Sequence, residues 1–465
     1  MEITKKDVYW NYGATFLRIA SSALLLPFIL KMLPSEKVGI WAIFMTITAF
    51  AGLLDFGFSS SFTRNVTYVF SGVKTFRKTG FETVDKEGLS IDYGLLKGLI
   101  ASMRWFYSRV AIILFILLIT LGTYYIYFLL QNYKGESQEV YISWGILCVI
   151  STYNIFTLYY DSLLKGKGLI KRSLQIVVVG NAIYLILASL LILKGFGLIA
   201  IVSAQASSVI IVRWLSYRSF FTNEIKQKIN TSISVEKKEI LKAITTNSVK
   251  IGLTSLGAFM VLRSTIIIGS LNIPLNDIAS FSITMQLIGV ISGLAGIYAA
   301  TYQPKIVNFR VIHNKKGIKE IYIKSQFVLI FSYIIGGAFL LIFGKWGINL
   351  IGSKTQLLPN LMILTLIIIS FLEVNHSLAG GILLSKNEVP FFKASLFAGV
   401  VTIILLLFLF QYTDIGIWAM ILAPGIAQGL YQNWKWPLVV FNELEITLKD
   451  VFKSFRSIYI NKINK

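Results

Sequence analysis

The stretch from Asn11 to Asn65 narrows the folds open to this chain more than any other. It reads NYGATFLRIASSALLLPFILKMLPSEKVGIWAIFMTITAFAGLLDFGFSSSFTRN. Two apolar runs of about 20 residues flank a short MLPSEK hinge, and a helix of that length crosses a hydrocarbon core of about 30 Å. Three ionisable residues interrupt the apolar background. Arg18 sits well inside the first run, Asp55 lies deep in the second, and Arg64 closes it. Lipid offers no water to such groups, so an ionisable side chain at that depth faces a protein-lined cavity or a partner.

The rest of the chain repeats the pattern. Of its 465 residues 55% are hydrophobic and 14% charged, against about 25% charged in ordinary soluble domains. The expected class is an all-α polytopic membrane protein with no large soluble domain. The N-terminal MEITKKDVYWNYG leads into a span-length run without a small-residue cleavage site, so that run is expected to stay as the first span. Cys148 is the only cysteine, which excludes an intrachain disulfide.

Hydropathy marks twelve spans, near 8–32, 38–60, 106–130, 141–163, 174–194, 196–217, 246–270, 278–303, 325–350, 358–384, 391–411 and 415–436. With connections assigned alternately to two sides, the N-terminus, the links after even-numbered spans and the tail carry about 34 of the 44 Lys and Arg residues. Lys31, Lys37, Lys134, Lys194, Lys345 and Lys354 fall on the other side. This asymmetry puts both termini in the cytoplasm. It also accounts for the net charge of +22 as orientation, which removes nucleic acid as a partner. On the basic side, Leu95, Leu96, Leu99, Ile100 and Met103 recur at helical spacing, as do Leu448, Val451, Phe452, Phe455 and Tyr459 in the tail. Both read as interfacial helices on the membrane, serving as surface anchors or as couplers between moving halves.

An internal repeat organises the spans. LLKGKGLIKRSL (163–174) resembles LLSKNEVPFFKASL (383–396), and GFGLIAIVSAQ (195–205) resembles DIGIWAMILAP (414–424). Gly197 pairs with Gly416 and Ala200 with Ala419, while LPSEKVGIWAIFMTI around Pro34 has a fainter echo in IPLNDIASFSITMQL around Pro274. The expected domains are a six-helix lobe over 1–217, a basic linker over 218–245, a second six-helix lobe over 246–440 and a basic amphipathic tail over 441–465. Both copies cross in the same direction, so the repeat is parallel, as in alternating-access transporters with a site between halves.

Here the residues resemble a known family. The order N…LR…PF.LK.L…VGIWA…GLLDFGFSSSFTR is similar to the N-terminal signature of the polysaccharide exporters, the branch of the multidrug/oligosaccharidyl-lipid/polysaccharide (MOP) flippase superfamily that contains the Wzx-like O-antigen flippases. Val38–Arg64, with GIWA and LLDFGF, is the most specific piece. The resemblance implies a MATE/MurJ-like fold of about 12 helices in two lobes around a V-shaped cavity, and a lipid-linked oligosaccharide as cargo. Membrane lipids, and the glycan polymerase and glycosyltransferases of the same pathway, are the partners it implies, in a bacterial inner (cytoplasmic) membrane. Relatives often carry an acid in the seventh span. Here that region reads GAFMVLRSTIIIG with Arg263 near the expected position, so no coupling acid carries over to span seven.

The charges inside the spans are the candidate site. No phosphate loop occurs, and two histidines, His313 and His376, are too few for a histidine-based metal site. No cofactor or metal is therefore expected. Arg18 lies about 15 Å from the cytoplasmic end of its helix, either as a cavity cation for an anionic substrate or as a partner of Asp55. Arg263, in the outer half of span seven, suits a diphosphate through its donor fork or reaches the outer interface. Lys250 snorkels to the inner surface or captures phosphate there. Asp55 forms an ion pair with Arg64 or Arg18, or else holds a proton or sodium ion. Asp161 precedes Lys165 by one turn and should pair with it locally. Glu373 and His376 share a helix face at i,i+3, as a proton relay or as a hydrogen-bonded packing pair.

These residues favour a non-enzymatic flippase that moves a polyprenyl-diphosphate-linked oligosaccharide from the inner to the outer leaflet by alternating access. A cation-coupled multidrug exporter on the same fold would prefer acids in the cavity. A membrane-embedded glycan polymerase or ligase would need sizeable outer loops, and those here are short.

Overall fold

The computed structural model describes residues 24–73, 91–131, 133–235, 237–386, 389–447 and 450, with side chains excepted at 237–239, 242–248, 250–251, 304 and 311. The chain divides into two compact units, residues 1–255 and 256–465. The first holds α1 (24–32), α2 (Ser35–Leu53), α3 (Phe58–Phe70), α4 (Tyr93–Leu117), a π turn (Leu118–Gly122), α5 (Thr123–Leu130) and α6 (Ser137–Phe156). It continues through α7 (Tyr159–Gly166), α8 (Ile170–Leu193), α9 (Gly197–Phe220), α10 (Asn223–Thr231) and most of α11 (Lys237–Leu262). The second holds the end of α11, α12 (Ser264–Gly269), α13 (Leu275–Val311), α14 (Lys315–Ile351) and α15 (Asn360–Leu384). Its last helices are α16 (Phe392–Tyr412), α17 (Ile417–Gly429) and α18 (Gln432–Glu443). The boundary thus falls inside α11. The segment read from sequence as a linker over 218–245 is mostly helical, holding the end of α9, all of α10 and the start of α11.

Nine described segments are long and apolar enough to cross a bilayer, and they match the second to sixth and eighth to eleventh spans expected from hydropathy. The first span lies largely in residues outside the described set. The seventh and twelfth are interrupted rather than continuous. The seventh breaks at Arg263, between α11 and α12. The twelfth breaks between α17 and α18, which carry Pro424 and Pro437 in their interiors, where a ring without an N–H removes a helical hydrogen bond.

Helix starts follow local chemistry. Pro34, Pro274 and Pro359 each stand immediately before a helix with φ of −57°, −57° and −54°, a conformation the ring imposes and a helix entry needs. Gly197 and Gly416 open α9 and α17 at φ +55° and +54°, a region glycine enters without Cβ strain. Two positions paired by the sequence repeat therefore share one unusual backbone state.

The LLDFGF motif does more than loosen a helix. Phe56 and Gly57 adopt φ +46° and +71°, so α2 ends at Leu53 and the chain turns before α3. The first turns of α4 correct another expectation. Leu95, Leu96, Leu99 and Met103 are buried on a helix that runs without interruption into the third span, and its beginning packs against an extended segment. A Cβ on Gly94 or Gly98 would come within 2.3 Å of the Ile233 carbonyl or 2.7 Å of that of Val235. Val235 N–H donates to the Gly94 carbonyl at 3.4 Å and Lys97 Nζ to the Ser232 carbonyl at 2.8 Å. The corresponding tail helix lies outside the described residues.

In the second unit, α13 and α14 are 37 residues each, about 55 Å long and so longer than a bilayer core. Their projecting ends pack with α15 and α18 around Ile306, Ile318, Tyr322, Leu383, Trp436 and Val440.

Candidate functional site

The first unit has a polar interior assembled from six helices. Asp55, in the turn before α3, accepts the Tyr107 hydroxyl at 2.6 Å and the Ser59 N–H at 3.1 and 3.2 Å. The turn after α2 directs the carboxylate back onto the open N-terminus of α3, whose first N–H groups need acceptors. Ser162 Oγ donates to the Ser59 carbonyl at 3.1 Å, joining α7 to α3. One residue earlier, Asp161 takes Lys165 Nζ at 2.6 Å and the Ser173 hydroxyl at 2.9 Å. Arg213 of α9 is 7% exposed. Its Nε and Nη2 both donate to Asn154 Oδ1 on α6, at 3.1 and 2.6 Å. Tyr159, Tyr160, Tyr217 and Phe221 form a chain of tilted and edge-on ring contacts.

The second unit carries a different set. Arg263 stands at the interruption of α11 and α12 with its side chain exposed, within reach of the charge of Glu373 on α15. No contact under 4 Å joins the two carboxylate and guanidinium groups among the described ion pairs. One turn along α15, His376 Nδ1 shares a hydrogen bond with Asn433 Oδ1 at 2.8 Å. Deeper in the unit Ser292, Tyr333 and Ser370 form a closed hydroxyl triangle with edges of 2.8, 3.1 and 2.8 Å. Where the long helices project, Glu443 forms ion pairs with Arg310 at 2.5 Å and Lys386 at 2.8 Å. Burial alone would push the Glu443 carboxyl up, but the hydrogen bonds and charges of Lys386 and Arg310 outweigh it and hold the group below the usual glutamate range. No cluster of three His, Cys, Asp or Glu able to hold a metal occurs among the described residues.

No family model matches the sequence, and no curated protein sequence matches it. Solved structures do. An inward-facing multidrug resistance MATE family transporter of the MOP superfamily superposes with TM-score 0.63 at 17% identity, over 95% of this chain and 96% of that one. The fold is that of the MATE transporters. An outward-facing MATE family transporter gives TM-score 0.61 at 16% identity over 96% of this chain and 100% of the other. A MOP superfamily transporter from Pyrococcus furiosus, described as having a binding pocket of reverse polarity that suggests a different function, gives 0.58 at 18%, covering 96% and 100%.

Within this MATE fold the residues singled out from sequence fall as follows. Arg18 lies outside the described residues, and Lys250 is on α11 with its side chain outside them. Arg64 is exposed on α3 and makes no ion pair with Asp55. The turn at Phe56 and Gly57 gives the Asp55 carboxylate a helix terminus and a phenol instead. Asp161 and Lys165 do pair across one turn. Glu373 and His376 share α15, but the imidazole is engaged by Asn433 rather than by the glutamate. Arg213 and Asn154 escaped the sequence reading altogether. Arg213 lies at the basic end of span six, and its burial and its contact with Asn154 distinguish it from the neighbouring Arg218. The polar run Ser151, Thr152 and Asn154 within span four was the one available hint.

Proposed function

We propose that this chain is a flippase for a polyprenyl-diphosphate-linked oligosaccharide, the repeat unit of an O-antigen or other surface polysaccharide, moved from inner to outer leaflet by alternating access. The observation that carries the reading is the placement of cations inside the spans. Arg263 sits at a helix interruption within the seventh span. A guanidinium suits a phosphate through parallel donors, and a broken helix at membrane depth belongs where it lines a cavity. The MATE fold supports transport, and the reverse-polarity pocket described for the Pyrococcus furiosus transporter is a precedent for an altered cargo on it. Arg18 and Lys250 complete the proposed diphosphate set. The basic side faces the cytoplasm of a bacterial inner membrane, with both termini on that side, and glycosyltransferases and the polymerase of the same pathway are the proposed partners.

A cation-coupled multidrug exporter is the second reading. It is favoured by Asp55 and Glu373 inside the spans and by the multidrug transporters that share the fold. Reconstitution separates the two. Proteoliposomes should move a fluorescent polyprenyl-diphosphate sugar between leaflets and leave a cationic dye untransported under a proton or sodium gradient. Gradient-driven dye flux without lipid movement would overturn the flippase reading.

A further inference from the structure

The first unit contains a cavity of about 200 Å³, lined among others by Asn154, Asp161, Ser173, Ser208, Arg213 and Ser216. Arg213 is more than nine-tenths buried. A buried guanidinium is tolerated when its charge is balanced and its donors are satisfied. Here neither condition is met by direct contacts. Nε and Nη2 both use the neutral Asn154 Oδ1, while a guanidinium offers five donors. Asp161 lines the same cavity and its charge reaches Arg213, yet its oxygens are engaged by Lys165 and Ser173. Tyr107, Tyr153 and Tyr160, the other groups that sense the arginine, are phenols and carry no balancing charge. The Ser208 hydroxyl is used on the Gly180 carbonyl at 2.8 Å. The Ser216 hydroxyl has no partner among the described residues and lines the cavity beside the arginine, one turn further along α9.

We propose that this cavity is a binding site for one phosphate-type oxyanion, held by the free edge of the Arg213 guanidinium and the Ser216 hydroxyl. The volume equals about seven waters at roughly 30 Å³ each, enough for one phosphate group. Arg213 is not among the cations assigned to the cargo, so this site is separate from the proposed diphosphate set. The same chemistry would be supplied by free phosphate or by a phospholipid head group entering from the membrane.

The test uses the full chain in a neutral detergent, followed by thermal unfolding through tryptophan fluorescence. One arm titrates sodium phosphate against sodium chloride at matched ionic strength. The other dopes the micelles with phosphatidylglycerol, with phosphatidylcholine as control. Stabilisation in either arm that weakens about tenfold or more in apparent affinity in Arg213→Gln, as expected for a charged hydrogen bond, supports the site, and the responding arm names the source. Asp161→Asn should tighten binding, because it removes a carboxylate from the cavity wall. Asn154→Asp guards against a variant that fails to fold. It hands the arginine a built-in counter-ion, so the protein should remain folded while its phosphate response disappears. A wild-type protein that distinguishes neither phosphate from chloride nor the two lipids overturns the proposal. So does an anion response that survives Arg213→Gln or Asn154→Asp, or a sodium-specific stabilisation abolished by Asp161→Asn, which would make this a cation site.

Discussion

Gly197 and Gly416 show how much a single position can decide, and how differently equivalent positions are used. Both take a positive φ at a helix entry. A Cβ on Gly197 would also meet Glu139 Oε1 at 2.1 Å, whereas nothing lies within 4 Å of one on Gly416. Glu139 is the hub of a clasp at that end of the first unit, paired with Lys37 and accepting the Leu198 N–H at 2.6 Å. Gly197→Ala should therefore cost about 2–3 kcal/mol, combining backbone strain with displacement of the clasp, and Gly416→Ala about 1 kcal/mol from strain alone. Melting temperatures of the two variants in one detergent check the difference. Equal losses would mean that the Glu139 contact adds nothing.

At the scale of elements, the beginning of α4 and the end of α18 are held by opposite means. The α4 contact is steric. Gly94→Val should expel the 232–235 segment from the helix face and make it susceptible to limited proteolysis, with cleavage mapped by mass spectrometry. A wild-type digestion pattern would show that Lys97 and Ser232 suffice to hold it. The α18 contact is ionic, and it has a pH signature. The Glu443 carboxyl is held below its ordinary value, so its contribution is complete above the unfolded glutamate value and is lost as pH falls through the lower folded value. Stability should thus drop on acidification below about pH 4.3. Glu443→Gln should abolish that part of the profile and leave Arg310 and Lys386 uncompensated, at a cost of about 1–3 kcal/mol near neutrality. Fluorescence of the buried Trp436, on the same helix, reports the transition.

For the whole molecule, the decisive prediction concerns Arg263. On the flippase reading proposed above, Arg263→Ala should abolish surface glycan export, or lipid movement in proteoliposomes, at unchanged membrane abundance. Arg263→Lys should restore only part, since lysine keeps the charge and loses the planar fork. Normal transport in Arg263→Ala would remove this residue from the diphosphate set. Glu373 reaches the same arginine with its charge, so Glu373→Gln should abolish transport or make it insensitive to collapse of the proton gradient. Uncoupler-sensitive transport at the wild-type rate would assign Glu373 to packing.

Much of this architecture is legible in the sequence because lipid leaves the chain few choices. A run of some 20 apolar residues must be helical to satisfy its own backbone, and prolines at helix starts and paired glycines act on φ within one residue, so the nine continuous spans, the helix entries at Pro34, Pro274 and Pro359 and the repeat at Gly197 and Gly416 follow from local pattern. The partners of the charges do not. Asp55 stands nine positions from Arg64 and 52 from Tyr107, yet the positive-φ turn at Phe56 and Gly57 gives it the tyrosine. Arg213 and Asn154 are 59 positions apart, and no local pattern tells that arginine from a snorkelling one. His376 met Asn433 rather than the glutamate on its own helix. Helical periodicity places a side chain on a face, but which face meets which neighbour is settled by packing between distant helices, and that packing turned an ordinary basic residue into a buried cation of the first unit.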